Sequence, residues 1–325
     1  MSVELVPKKR LVLYSGRAHL ELAEEIAAAL GTTLGEANLK SFPIGEIHCR
    51  FDESIRGADV FIVQTHCSPV NDAIMEQLIM IDAAKRASAK RITAVCPYYG
   101  YARQDRKVSG REPIAAKLVA DLLRTAGADR IMSVDLHSGQ IQGFFDGPFD
   151  HLVAMPLLLE YLRDHAGPEA VIVAPDAGRV KVADRFAEHL DLDLAIVQKR
   201  RPKNTTGTVQ VVSVVGEVAG RHCVLIDDMI DTAGTVCAAA ERLADEGATD
   251  VWAAATHAVL SDPATDRIKN SSISRLIVTN TLPIPPEHRL DKLEVLSVAS
   301  IIANAIDAVF EDASVSEIFG GENQA

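Results

Sequence analysis

At 325 residues the chain is long for a single hydrophobic core, and two domains of ordinary size are expected. Apolar residues at 48% and charged residues at 24% exclude a disordered or fibrous chain and leave material for two cores. A formal net charge of −12 excludes nucleic acid or an anionic membrane surface as the main partner, so a site for a polyanion must be a local basic island.

Short β-branched runs alternate with helical patterns along the chain. Residues 11–14 read as a strand, followed by an Ala/Glu-rich helix that reaches Leu30 and stops at Gly31. Residues 59–64 form the next strand, and Asn71 is placed as the cap of an amphipathic helix over 74–88. Strand 91–96, a helix opening at Glu112-Pro113 and strand 130–136 continue the alternation. After a helix over 156–165 the pattern restarts with strand 170–174, helix 179–190 and strand 194–198. Strand 222–226, helix 236–246 closed by Gly247, strands 250–259 and 275–279, and helix 300–310 complete it. Such alternation means βαβ units in mainly parallel sheets, an α/β class. The restart sets two domains, 1–155 and 156–325, with the C-terminal helix a candidate to pack back on the first.

The five cysteines, Cys49, Cys67, Cys96, Cys223 and Cys237, are scattered and form no C-x-x-C pair. Reduced thiols in a cytosol fit this better than a disulfide frame or a zinc site. Residues 1–10 lack an apolar signal core and no apolar run approaches a membrane span, so a cytoplasmic protein is expected.

Three segments concentrate chemistry. The thirteen residues Cys223 to Thr235 read as an apolar strand, two carboxylates at its end and a turn of small residues before a helix. Ligands of open α/β sheets sit outside the carboxyl ends of strands, where a helix N-terminus offers N–H groups to phosphate. Acids beside such a cradle would repel phosphate unless they had another task, and carboxylates accept hydrogen bonds from vicinal hydroxyls. The pairing suggests a sugar phosphate, with phosphate on Asp231, Thr232, Ala233, Gly234 and Thr235 and the diol on Asp227 and Asp228; the plainer reading is a turn with an Asp cap.

The second segment, Pro97-Tyr98-Tyr99-Gly100-Tyr101-Ala102-Arg103-Gln104-Asp105-Arg106-Lys107, interleaves aromatics with Arg and follows a strand. It is either a solvated turn or, in an acidic chain, the basic island for a nucleotide triphosphate. The third, Lys199-Arg200-Arg201 running into Pro202-Lys203-Asn204-Thr205-Thr206-Gly207, reads as an exposed basic hairpin or a loop that closes over a substrate. No G-x-x-x-x-G-K-[ST] is present, so an ATP site here is not a P-loop.

These segments resemble the ribose-phosphate diphosphokinases, and the resemblance runs along nearly the whole chain. It covers the 97–107 loop, Val134-Asp135-Leu136-His137 with 140–146, Ala174-Pro175-Asp176-Ala177-Gly178, 199–201, the 223–235 loop and 313–319. It implies two tandem phosphoribosyltransferase-like domains, each a mainly parallel sheet flanked by helices, assembled as a homohexamer built from dimers. The activity implied is transfer of the diphosphoryl group of ATP to the 1-hydroxyl of ribose 5-phosphate, with Mg²⁺ as cofactor.

The same resemblance implies the site residues. Lys199 and Arg201 would stabilise charge on the transferred group, Arg201 also touching the sugar phosphate, while His137 and Asp176 would be the magnesium-associated positions. Phe42, Gly45 and Glu46, with Arg103 and Gln104, would bind ATP, the first group serving a neighbouring subunit. Ile44 stands where the family has Asp or Asn, and Arg179 where many members have a second glycine, narrowing that turn or adding a phosphate contact. A regulatory anion site for phosphate or ADP would draw on Ser54, Arg56, Gln142, Asp150, Ser314, Val315, Ser316 and Phe319. Two other readings stay open at this point: an ordinary phosphoribosyltransferase using the same sugar loop, and a catalytically weak regulatory homologue that assembles with an active synthase.

Overall fold

The computed structural model describes residues 9–200 and 211–319, and in it strands and helices alternate as the periodicity predicts. The chain divides into two units, one of residues 1–153 with 299–325 and one of residues 154–298.

The first unit holds β1 (Leu11–Ser15), α1 (Leu20–Ala29), β2 (Ala37–Ser41), β3 (Ile47–Phe51), β4 (Asp59–Val63) and α2 (Val70–Arg86). It continues with β5 (Arg91–Cys96), α3 (Ala115–Ala126), β6 (Arg130–Val134) and β7 (Phe149–Leu152). Five strands pair in parallel in the order β1-β4-β5-β6-β7. All of β4, Asp-Val-Phe-Ile-Val, is buried, as expected for a parallel strand covered on both faces. Helix α3 buries Ala115, Ala116, Val119, Ala120 and Leu123 at helical spacing.

The antiparallel hairpin β2–β3 was not read from the sequence, although Ala-Asn-Leu-Lys and Ile-His-Cys-Arg-Phe alternate apolar and polar residues on either side of a Pro-Ile-Gly turn. Its own pairing and the packing of Phe51 on Tyr14, with ring centroids 4.3 Å apart, hold it. Two helix starts also differ from expectation. Helix α2 begins after Pro69, so Asn71 lies inside its first turn and accepts the Tyr101 hydroxyl instead of capping. Helix α3 begins at Ala115, not at Glu112-Pro113, because the Glu112 carboxylate folds back to accept the Val108 and Ser109 N–H groups at 2.8 Å each.

The second unit runs through α4 (Met155–His165), β8 (Val171–Ala174), α5 (Val180–Leu190), β9 (Asp193–Arg200), β10 (Val211–Val215) and β11 (His222–Ile230). It ends with α6 (Gly234–Asp245), β12 (Asp250–Ala258), α7 (Ala264–Lys269), β13 (Arg275–Thr279) and β14 (Leu293–Leu296). Its strands lie in the order β10-β9-β8-β11-β12-β13-β14, all parallel except β10 against β9. Period-2 alternation sends Val171 and Val173 to the α6 face and Ile172 and Ala174 to the α4–α5 face, giving a core on each side. From β8 the chain moves outward one way to β9, and from β11 the other way to β12. The β8/β11 boundary is therefore the point where strand order reverses, the place where open α/β sheets bind ligands.

The last helix, α8 (Ala299–Phe310), belongs to the first unit and packs against α1. It buries Ile302, Ala305, Ile306 and Val309, an i, i+3, i+4, i+7 stripe. No helix among the described residues is long and apolar enough to cross a membrane.

Candidate active site

In the second unit β11 runs on to Ile230, four residues beyond the expected end, because β12 continues to pair with it through Ile230↔Ala258. Strand β8 leaves it earlier, at Val173↔Leu225. Asp227 and Asp228 thus sit past the edge of β8, on the open side of the strand-order reversal. The chain leaving β8 fills that opening with Asp176, whose carboxylate accepts the Gly178 N–H at 2.8 Å, and with Arg179. Arg179 Nε lies 3.0 Å from Asp227 Oδ1 and Nη2 lies 2.6 Å from Asp228 Oδ1. The turn at 178–179 is occupied by an ion pair that the sequence reading did not foresee.

Asp227 is pushed up to about 7, first by burial and then by the neighbouring Asp228 charge, with Arg179 opposing both. The turn beyond the acids is tight: Ala233 adopts φ +57°, left-handed geometry that a side chain resists. The N–H of Cys237 then donates to the Ala233 carbonyl at 3.0 Å as α6 begins, so Gly234 and Thr235 occupy its first turn. Amides in a first turn have no partner within the helix and face outward. Arg267, on α7, donates from Nη1 to the Thr232 carbonyl at 2.8 Å and fixes the turn from outside. Sequence reading missed Arg267, since nothing in 264–269 marks a partner thirty-five residues upstream. Lys199, the last residue but one of β9, lies opposite Val212; its side chain and all of Arg201 lie outside the described residues, as do 202–207.

In the first unit the 97–112 loop is held from below while its charged residues face out. Tyr99 is buried and donates its hydroxyl to the Ala116 carbonyl at 2.9 Å. Asp105 accepts from Gln140 Nε2 at 2.7 Å, and Arg103 and Gln104 are exposed between these anchors on a single 3₁₀ turn. A further anchor escaped the sequence reading. The Gly100 N–H donates to Nδ1 of fully buried His66 at 2.9 Å, and His66 Nε2 contacts Gln77 Oε1 at 2.9 Å. Burial pushes His66 down to about 4, so the ring is neutral at pH 7, and Nδ1, as an acceptor, places the proton on Nε2.

The β2–β3 tip places Phe42 and Ile44 in solvent, 45% and 82% exposed, around Gly45 at φ +97°. The Phe42 N–H donates to the Glu46 carbonyl and the Gly45 N–H to the Phe42 carbonyl, both at 2.8 Å. Arg17 Nη2 reaches Ser41 Oγ at 3.0 Å from the end of β1. Buried Glu76 holds that arginine, taking Nε at 2.5 Å and the backbone N–H at 2.6 Å, and also takes Gln64 Nε2 at 3.0 Å. A Cβ on Gly16 would lie 2.2 Å from the Gln64 amide, so this corner requires glycine. His137, half-buried, follows β6 by three residues.

Of the expected anion residues, Ser54 and Arg56 are exposed on either side of buried Ile55 and line a groove of about 450 Å³ with His48, Phe51 and Ala83. Asp150 is held by Arg130 Nη1 at 2.8 and 2.6 Å, and Gln142 Nε2 donates to the Gly139 carbonyl at 3.0 Å. Ser314 and Ser316 hydroxyls lie 3.2 Å apart, Val315 is half-buried, and the Phe319 side chain is outside the described residues. The segment is moored by Asp312, which pairs with Lys9 and with Arg91 and is held down at about 2 by them.

Two family models match, the N-terminal domain of ribose phosphate pyrophosphokinase over residues 11–127 and the phosphoribosyl synthetase-associated domain over residues 198–320. A ribose-phosphate pyrophosphokinase of Streptomyces avermitilis is 57% identical over 318 residues, covering 98% of each chain. One from Mycobacterium tuberculosis is 53% identical over 317 residues, covering 97% of each. The crystal structure of phosphoribosylpyrophosphate synthetase from Mycobacterium smegmatis superimposes with a TM-score of 0.89 at 53% identity, covering 94% of this chain and 100% of that one.

Proposed function

Because the chain belongs to the ribose-phosphate pyrophosphokinase family, and its activity is phosphoribosyl diphosphate synthesis, we propose a role for each group of residues in the transfer. The observation that carries the assignment is the acid pair Asp227–Asp228 set beside the 231–235 turn where the strand order reverses. Acids there accept the ribose hydroxyls, and the turn and the α6 N-terminus take the 5-phosphate. Phe42, Ile44, Gly45, Glu46, Arg103 and Gln104 hold ATP, the aromatic ring stacking on the base and the guanidinium meeting phosphate oxygens. Ile44 offers the base no side-chain hydrogen bond. Lys199 and Arg201, with Arg103, offset negative charge as the anomeric hydroxyl attacks the β-phosphorus in line and AMP leaves.

Asp176 supplies a hard carboxylate oxygen and His137 an imidazole. Mg²⁺ prefers few protein oxygens plus water and phosphate; the Asp176 carboxylate fits that preference, and the His137 imidazole would act through water or phosphate. When bound, the ion would supply positive charge that offsets the charge of the phosphates. AMP formed from ATP only in the presence of ribose 5-phosphate is the measurement that tests the reaction; ATP cleavage without the sugar phosphate would refute it.

Asp227→Asn and Thr235→Val are expected to raise KM for ribose 5-phosphate with little change in kcat. A hydrogen bond to a charged group contributes about 1.5–3 kcal/mol, or roughly 10- to 150-fold in KM. Unchanged KM in both variants would make the loop structural only.

The protein acts in the cytoplasm as a homohexamer, with the Phe42 hairpin serving a neighbouring subunit. Exposed apolar residues support self-association: Ile114, Leu118 and Leu122 stripe one face of α3, and Phe42 and Ile44 project from the hairpin. Phosphate activates and ADP inhibits by competing at Ser54, Arg56, Gln142, Asp150 and the 314–319 segment. Arg56→Ala is expected to blunt both responses and reduce the mass seen by light scattering. Intact responses would remove Arg56 from the site.

A further inference from the structure

Successive residues of a strand point to opposite faces. Asp227 and Asp228 nonetheless reach one guanidinium, Asp227 through Nε of Arg179 and Asp228 through Nη2. The side chains are 16%, 17% and 9% exposed for Arg179, Asp227 and Asp228, so this is an enclosed triad and not a screened surface pair. Asp227 Oδ1 also accepts the Asp228 N–H at 2.8 Å, which turns the first carboxylate back along the strand toward the second. A fork of this shape suits two oxygens held a fixed distance apart; a lysine would meet only one of them as a point charge.

We propose that Arg179 is the specificity-determining residue of the sugar site: it locks Asp227 and Asp228 side by side, so that the pair meets a vicinal diol as one rigid acceptor. The proposal rests on the assignment of the acid pair to the ribose hydroxyls. Arg179 acts through the acids and touches no reacting atom, which makes it a positioning residue. Among the described residues, the neighbouring segments bring Asp176 and Arg179 from the loop after β8, Asp231 from the turn after β11, and buried His257 from β12 at the Met229 register. Arg179, paired with both carboxylates, offsets the repulsion between the adjacent acids, and burial already draws Asp227 toward protonation near neutral pH. A protonated or swinging carboxylate would accept one hydroxyl almost as well as two, so removing the clamp erodes the preference for a sugar bearing both.

The test compares KM and kcat for ribose 5-phosphate with the inhibition constant of 2-deoxyribose 5-phosphate as competitor, at pH 7 and pH 8.5. The proteins are the parent, Arg179→Ala, Arg179→Lys and Asp227→Asn. Arg179→Ala is expected to raise KM with kcat nearly kept and to shrink the ribose preference about tenfold, the loss of one charged hydrogen bond. Its KM rises further from pH 8.5 to pH 7 than the parent's, because Asp227 then titrates without the opposing charge of Arg179. Arg179→Lys restores part of the preference. Should Arg179→Ala fail to fold, Arg179→Gln and Arg179→Lys carry the same comparison. A folded Arg179 variant with the parent's KM, preference and pH response overturns the proposal. If Asp227→Asn is impaired in that case, only the clamp falls; if Asp227→Asn is also silent, the sugar-site assignment falls with it.

Discussion

Replacing Lys199 or Arg201 by alanine is expected to lower kcat by about 10²–10³ while KM for ribose 5-phosphate changes little, because a donor aimed at the transferring group acts mainly in the transition state. The placement follows from the sheet. Strand β9 lies parallel to β8, its residue Ile196 stands opposite Ala174 at the end of β8, and it continues through Arg200. Lys199 is thus carried beyond the end of β8, in the direction in which Asp176 and the acid pair extend. On the proposed assignment such a residue would meet charge that builds up during transfer, with the sugar already held by Asp227, Asp228 and the 231–235 turn. Steady-state kinetics with saturating ATP separates the two effects. A variant with normal kcat and a raised KM would assign these residues to ground-state binding.

Glu76→Ala is expected to have the largest effect in the first unit, on stability and on ATP. Glu76 is buried and takes three donors, two from Arg17 and one from Gln64. Breaking a buried pair costs 3–5 kcal/mol, and since Arg17 is half-exposed and can turn to water, about 3 kcal/mol is the reasonable figure. In a unit of this size that is a fall of about 6–12 °C in Tm. Arg17 would also release Ser41, the residue before Phe42, so KM for ATP should rise as the hairpin tip loosens. Scanning calorimetry and ATP kinetics on Glu76→Ala, Arg17→Ala and the double variant check this. The two single losses should not add, since both break one network; additive losses, or an unchanged KM for ATP, would detach the hairpin from Glu76.

The α/β class was legible because β4, β5, β8 and β11 are largely apolar and buried between helices of helical period, a pattern fixed by local burial. The acid pair and small-residue turn were legible because they are contiguous. What stayed hidden depends on residues distant in sequence. Arg179 and Asp227 are forty-eight positions apart, and only the order β8-β11 makes them neighbours. The same holds for Arg267 at Thr232 and for His66 beneath Gly100. The hairpin was missed for a different reason: its strands are five residues each and partly exposed, and so short an alternation is a weaker signal than a buried apolar run.

The assignment of α8 to the first unit has a bearing on how the protein is made. A nascent chain that has emerged as far as residue 298 contains the whole second unit, yet the first still lacks the helix that packs on α1. Domains generally fold as units as synthesis proceeds. Here a segment synthesised earlier must wait for one synthesised later, with the apolar surface of α1 uncovered through the interval. Premature termination just after β14 would accordingly injure a distant part of the chain, leaving a foldable second unit attached to an unfinished first.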